Sequence, residues 1–280
     1  MREATSPADI PTLRRQALAI LLASDPAQKA QWALALPTRD EQHVGCQLDP
    51  DEVITLTEAE REALPGRPTR PSLVEAKQVP TRTPFTVEGR AALLHSICHI
   101  EFNAINLALD AVWRFSGMPA DFYWDWLQVA REEALHFNLL RQHLNTLNHD
   151  YGDFDAHNGL WSMCERTQDD ILARMALVPR TLEARGLDAT PLIQDKLTRA
   201  GDARAVEILD IILRDEVGHV AIGNRWFHHL CAQRGLDGKT LYPQLVKQYE
   251  APRLRPPFNE AARRAAGFTE DEIAFLLGVD

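Results

Sequence analysis

Between Leu94 and Val112, apolar residues return every third or fourth position, at Leu94, Ile97, Ile105, Ala108 and Val112. The same rhythm runs through Trp126, Val129 and Leu140, and again through Leu209, Ile212 and Trp226. A period near 3.6 puts each set on one face of a helix. The pattern predicts four long helical segments, over 87–116, 120–148, 159–186 and 203–233. Alternation with a period of two, the mark of a half-buried strand, is almost absent. The expected fold class is all-α, built around a four-helix bundle.

Punctuation residues divide the rest. Residues 12–36 read as one or two short helices interrupted at Asp25-Pro26. The stretch "LPGRPTRPSLVEAKQVPTRTPF", Leu64 to Phe85, holds five prolines. Proline fixes φ and donates no hydrogen bond, so an extended strap is expected there. "SGMPAD" is a short link that makes the first two long helices antiparallel, and "NHDYGDFDAHNG" is long enough for a crossover along the bundle. The third segment is expected to break at "RGLDATP", resume as "PLIQDKLTRA" and turn at Gly201. Shorter helices follow Gly235, the last opening on a capping box at Thr269 and Glu272. The expected organisation is an N-terminal helical extension over 1–63, the strap over 64–86, the bundle over 87–233 and a C-terminal helical extension over 234–280.

Composition narrows the function classes. The 280 residues are 45% hydrophobic, ample for a core, and carry a net charge of −10. That acidity argues against broad electrostatic binding to nucleic acid. Cys46, Cys98, Cys164 and Cys231 form no Cys-x-x-Cys pair, which excludes a zinc ribbon or a dithiol redox motif. The N-terminus lacks a signal-peptide layout, and no run reaches the roughly 18 apolar residues of a membrane span. A cytoplasmic protein without membrane attachment is expected.

The candidate chemistry lies on the apolar stripes. In "RDEVGHV", Arg214 to Val220, Glu216 and His219 stand three apart and share one helix face. "REEALHF", Arg131 to Phe137, repeats that wording by chemical type 83 residues earlier, with Glu133 and His136 in the corresponding places. Both pairs fall in line with the inward residues of their helices. Unpaired charge there costs several kcal/mol, so the groups need a shared partner. Metal ions supply one, since carboxylate oxygen and imidazole nitrogen suit iron and manganese. A two-metal site also takes a carboxylate from each of the other two helices. On the first, Glu101 is a lone acid on the apolar face. On the third the choice is between Glu165 and Glu183. Glu183 lies 18 residues before Gly201 and Glu216 lies 15 after it, which places them at similar depth across the turn. Glu165 falls roughly 27 Å further along the helix, so geometry favours Glu183. Glu101 to Glu133 is 32 residues and Glu183 to Glu216 is 33, as for two copies of one half-site.

This arrangement resembles the ferritin-like di-iron carboxylate proteins, among them bacterioferritin, the ribonucleotide reductase small subunit, acyl-carrier desaturases and a tRNA hydroxylase. The resemblance covers 87–233. The wording of "LPGRPTRP", "HIEFNAINLALDAVWRF", "YGDFDAHNGLW", "ARMALVPRTLEARGLD" and "RDEVGHVAIGNRWF" is more closely similar to the bacterial family called domain of unknown function 455. The resemblance implies two iron ions, with manganese as the substitute. Glu101, Glu133 and His136 would serve one ion, and Glu183, Glu216 and His219 the other, with either Glu-x-x-His glutamate free to bridge.

Around these ligands, Arg131, Glu132, Arg214 and Asp215 are turned about 100° away. Asp215 is a candidate acceptor for a ligand histidine's second N–H, with plain surface pairing as its alternative. His143, seven residues after His136, is read as a buried, hydrogen-bonded histidine rather than a channel group. His95 and His99 are read as coupling to neighbouring helices, Cys98 as packing, and "FYWDW" (Phe122 to Trp126) as core and helix-start packing. Gly218 is expected to give clearance to a neighbouring side chain or a ligand. The leading expectation is an O2-activating oxygenase, hydroxylase or oxidase with an unknown organic substrate and an unknown electron donor. An iron-handling ferroxidase or peroxidase and a non-catalytic helical scaffold are the alternatives; a tRNA substrate rests on analogy alone.

Overall fold

A computed structural model of the chain describes residues 11–41 and 47–278. It divides into two compact units, residues 1–74 with 95–156 and residues 75–94 with 157–280. Cys46 lies outside the described residues. All regular structure among the described residues is helical, apart from one parallel bridge between Leu73 and Ala156.

In the first unit, α1 (Leu13–Leu22) and α2 (Pro26–Leu34) are separated at Asp25-Pro26, as the sequence predicts. Asp25 caps α2 by accepting the Gln28 N–H at 2.7 Å, and Pro26 starts the helix where no N–H is needed. A short helix, α3 (Glu58–Ala63), opens on a Thr57–Glu60 capping box. The long α4 (Val87–Arg114), which belongs to this unit from His95 onward, and α5 (Ala120–Thr146) follow, joined by the short Gly-Pro link. Cys98 Sγ lies 3.7 Å from the Phe137 carbonyl, so the two helices run antiparallel from that link. α4 is long and apolar enough to cross a membrane, but 78% of its most apolar window is buried inside the protein.

The N-terminal helices fasten α4 and α5. Arg14 of α1 is fully buried and donates to the Val112 and Trp113 carbonyls at 3.1 and 2.7 Å, satisfying the open end of α4 with a cation where the helix dipole favours one. Lys29 of α2 donates to the carbonyls of Leu21 and Gly66 and to Asn106 Oδ1, at 2.9, 2.7 and 2.6 Å. It thereby ties α1, the proline-rich strap and α4 at one buried point. Arg131 of α5 donates to the Leu34 and Leu36 carbonyls past the end of α2.

In the second unit the third segment breaks earlier than its sequence suggests. α6 (Gly159–Arg166) stops at Thr167, whose hydroxyl bonds the Met163 carbonyl at 2.7 Å. α7 (Ile171–Leu177) restarts on Asp170, which accepts from Leu172 and Ala173. A π turn, Val178–Glu183, comes next. Pro179 offers no N–H to the preceding turn, and the Thr181 hydroxyl takes up the Ala176 carbonyl at 2.7 Å. α8 (Ala184–Arg199) then runs unbroken through "RGLDATP", where a break is expected. Pro191 should leave the Leu187 carbonyl open, but Asn259 Nδ2 donates to it at 3.2 Å. The side chain of a distant loop thus replaces the missing backbone donor.

α9 (Ala203–Gln233) is the longest helix and packs against α7, the π turn and α8. α10 (Gly238–Gln248), α11 (Glu260–Ala265) and α12 (Glu270–Leu277) complete the unit, and the Thr269–Glu272 capping box is present. Phe268 and Ile273 share a core cluster with Ala184, Leu187 and Val220. Arg263, fully buried, pairs with Asp188 at 2.6 Å.

Candidate metal centre

Glu101 projects from the middle of α4, and Glu133 and His136 from the middle of α5. All three are buried, at 3%, 0% and 0% exposure. His136 Nδ1 stands 3.3 Å from Glu101 Oε2 and 3.3 Å from Glu133 Oε2. One ligand-capable atom from each residue lies within 4.8 Å of the other two. Two carboxylates and an imidazole therefore share one dry space inside the first unit.

That space penalises charge. Burial, and after it the neighbouring Glu133 carboxylate, push the Glu101 carboxyl well above the usual carboxylate range. A proton is one way to relieve two carboxylates so close together; a divalent cation is another, and it displaces that proton when it binds. Two other buried polar side chains of α4, Asn103 and Asp110, are satisfied within the helix. Asn103 Nδ2 donates to the His99 carbonyl at 2.9 Å, and Asp110 receives Trp113 Nε1 at 3.2 Å and Arg114 Nη2 at 2.7 Å. Glu101 instead meets a second acid and an imidazole, and an O, O, N donor set of this kind fits a first-row divalent metal.

The second unit repeats the local geometry. Glu216 and His219 are buried in the middle of α9, with His219 Nδ1 3.5 Å from Glu216 Oε1. Each Glu-x-x-His pair thus turns a ring nitrogen toward its own carboxylate across one helical turn. Glu183 ends the π turn and is 6% exposed. Glu165 is exposed on α6, where it accepts the Trp161 indole N–H at 3.0 Å.

The flanking residues take mostly structural positions. Arg131 serves α2, as above, and Gln128 Nε2 donates to Glu132 at 3.0 Å. Arg214 and Asp215 pair with each other at 2.8 Å. His143 is buried, with its Nδ1 3.3 Å from the Thr146 hydroxyl. His95 Nε2 accepts the Gly152 N–H at 2.9 Å, and His99 Nδ1 lies 2.9 Å from the Tyr151 hydroxyl, so both engage the loop after α5. Cys98 is buried, and burial raises its thiol pKa well above the ordinary value. Phe122 to Trp126 are buried throughout.

Gly218 does not provide the clearance expected of it: a Cβ there meets nothing within 4 Å, because the position faces outward. The close approach is at Gly223, where a Cβ would sit 2.6 Å from Pro179 Cβ. Gly223 lies on the inward stripe with Glu216, His219 and Trp226, which is the signal that separates it from Gly218. Sequence reasoning also passed over Arg180, buried on the π turn three residues before Glu183.

The described residues define an all-helical protein with a buried carboxylate–imidazole cluster capable of holding a metal ion. The chain belongs to the family described as protein of unknown function (DUF455), which it matches over residues 22–274. An uncharacterized protein of Haemophilus influenzae is 53% identical over 220 residues, spanning 76% of each chain. No solved structure matches this chain.

Proposed function

We propose that the protein is a ferritin-like di-iron carboxylate oxidoreductase that activates O2 to hydroxylate or otherwise oxidise an organic substrate. The observation that carries this reading is the convergence of Glu101, Glu133 and His136, buried and within ligand reach of one another. The repeat of the Glu-x-x-His geometry at Glu216 and His219 supports a second metal, with Glu183 as its further carboxylate. A bound pair of ferrous ions would supply the electrons for reducing dioxygen.

The chain's own residues supply the rest. Glu101 and Glu133 offer oxygen ligands, and their burial excludes water from the charge they carry. Burial and the Glu133 carboxylate raise the Glu101 pKa, so a metal ion would compete with a proton for this carboxyl group. His136 Nδ1 lies 3.3 Å from Glu133 and His219 Nδ1 3.5 Å from Glu216, each one turn away, so each imidazole presents a nitrogen beside its own carboxylate. Substrate, electron donor and the choice between iron and manganese belong to this proposal as open chemical classes.

Anaerobic loading with Fe(II) followed by rapid mixing with O2 tests it. The expected result is a single burst that oxidises about two Fe(II) per chain and then stops until a reductant is added. Sustained oxidation of excess Fe(II), or turnover of peroxide without any organic substrate, would replace the oxygenase reading with iron handling.

A further inference from the structure

The π turn that ends on Glu183 is fastened at three consecutive residues, Pro179, Arg180 and Thr181. The Pro179 ring lies against α9 at Gly223, where a Cβ would come within 2.6 Å of it. The Thr181 hydroxyl donates to the Ala176 carbonyl of α7 and stands 2.8 Å from the Tyr242 hydroxyl of α10. Between them Arg180 is 3% exposed. One of its terminal nitrogens donates to Asn224 Oδ1 of α9 at 2.9 Å, and the other pairs with Glu272 of α12. Asn224 Nδ2 donates in turn to the Ala266 carbonyl at the end of α11, at 2.7 Å. The rings of Phe227, Phe268 and Tyr242 surround the guanidinium carbon, with centroids 4.8, 4.9 and 5.3 Å away.

Stability alone does not account for a cation at this point. A buried Arg–Glu pair gains little over an apolar pair of the same shape, because desolvation offsets the attraction. What a planar guanidinium in a fixed fork does supply is a definite geometry. A π turn built around a proline has weaker local bonding to define it, so its course is set from outside. Three residues after Arg180, this turn delivers the Glu183 carboxyl, with both oxygens buried. A tilt of the turn moves that carboxyl, and a metal ligand must be held within about 0.5 Å of its productive place.

We propose that Arg180, clamped by Glu272 and Asn224, is the positioning residue for Glu183, so that α12 sets the affinity of the second metal ion. The proposal rests on the reading of Glu183, Glu216 and His219 as that ion's ligands. Arg180 acts through the turn, since a guanidinium has no lone pair to offer a metal.

Binding of Mn(II) to the chelator-stripped full-length protein, followed by the electron paramagnetic resonance signal of the free ion, tests this. Wild type should bind two Mn(II). In Glu272→Ala one should bind as in wild type and the other at least tenfold more weakly. Glu272→Gln, which still accepts from Arg180 and caps α12, should stay within about threefold of wild type. Tyr242→Phe, a milder change that takes the phenol hydroxyl from Thr181, should weaken the same ion at least twofold and decides the matter if Glu272→Ala does not fold. In a Glu183→Ala background, Glu272→Ala should have no further effect on metal affinity. Asp188→Asn, which loosens the attachment of α11 through Arg263, should leave both ions bound as in wild type. Wild-type affinity in both Glu272→Ala and Tyr242→Phe would overturn the proposal and leave the metal reading standing. So would equal weakening of both ions, no recovery in Glu272→Gln, a further loss in the Glu183→Ala background, or a matching loss in Asp188→Asn. A wild type that binds no Mn(II) would remove the metal reading and the proposal with it.

Discussion

At the scale of the residue, the first unit distinguishes two kinds of buried polar side chain. Lys29, Asn103 and Asp110 each find their complement in a carbonyl, an amide or an arginine, and act as fasteners. Lys29 meets three oxygens and no carboxylate, and burial brings its pKa down to about 7. Glu101 meets another acid and an imidazole, which is the arrangement of a ligand set. His95 belongs to the first kind and makes the fold sensitive to acid. Burial lowers its pKa from 6.5 to about 4, and its Nε2 must stay unprotonated to accept the Gly152 N–H. Between those two pH values the unfolded chain takes up a proton that the folded chain refuses. The contribution of His95 is fully present above pH 6.5 and is lost as the pH falls toward 4, a difference of up to about 3 kcal/mol. His95→Gln keeps an acceptor for Gly152 without the titration. Urea unfolding at pH 7 and pH 4.5 should show a smaller acid-induced loss in the variant; an identical loss would clear His95 of the effect.

At the scale of the element, the two glycines of α9 make opposite predictions. Gly218 faces open space, so Gly218→Ala should leave stability unchanged or raise it by up to about 1 kcal/mol, the helix preference for alanine. Gly223→Ala drives a methyl group to 2.6 Å from the Pro179 ring, which has no flexible end to yield, and should cost about 1–3 kcal/mol. Chemical denaturation of both variants checks the pair, and equal effects would mean that the π turn does not press on α9 at Gly223. The same elements show what was legible in the sequence. The ends of α4, α5 and α9 follow from local periodicity and from proline and glycine, and they lie within about two residues of expectation. The break in the third segment was not legible, since Pro191 is tolerated only because Asn259, distant in sequence, serves the Leu187 carbonyl. The π turn depends similarly on the Thr181 hydroxyl and on a glycine on another helix. The Glu-x-x-His pairs were legible because three-residue spacing on a helix fixes a shared face without help from tertiary structure. Gly218 was misread because a glycine's clearance depends on where the neighbouring element runs.

At the scale of the whole molecule, each unit carries one Glu-x-x-His pair of the same local geometry, and the first adds Glu101 to its own. A chain with a net charge of −10 that buries three glutamates and two histidines at these positions bears a standing electrostatic cost. Two divalent ions would remove it, and they would stabilise the folded chain as any ligand of the native state does. The most direct measurement is the metal content per chain of protein expressed in iron-replete medium, by elemental analysis, for wild type and for Glu133→Ala and His219→Ala. Two iron or manganese ions per chain are expected for wild type, falling to one or fewer in each variant while the helical spectrum is retained. A metal-free wild type, or a single tightly bound zinc, would contradict the di-metal reading.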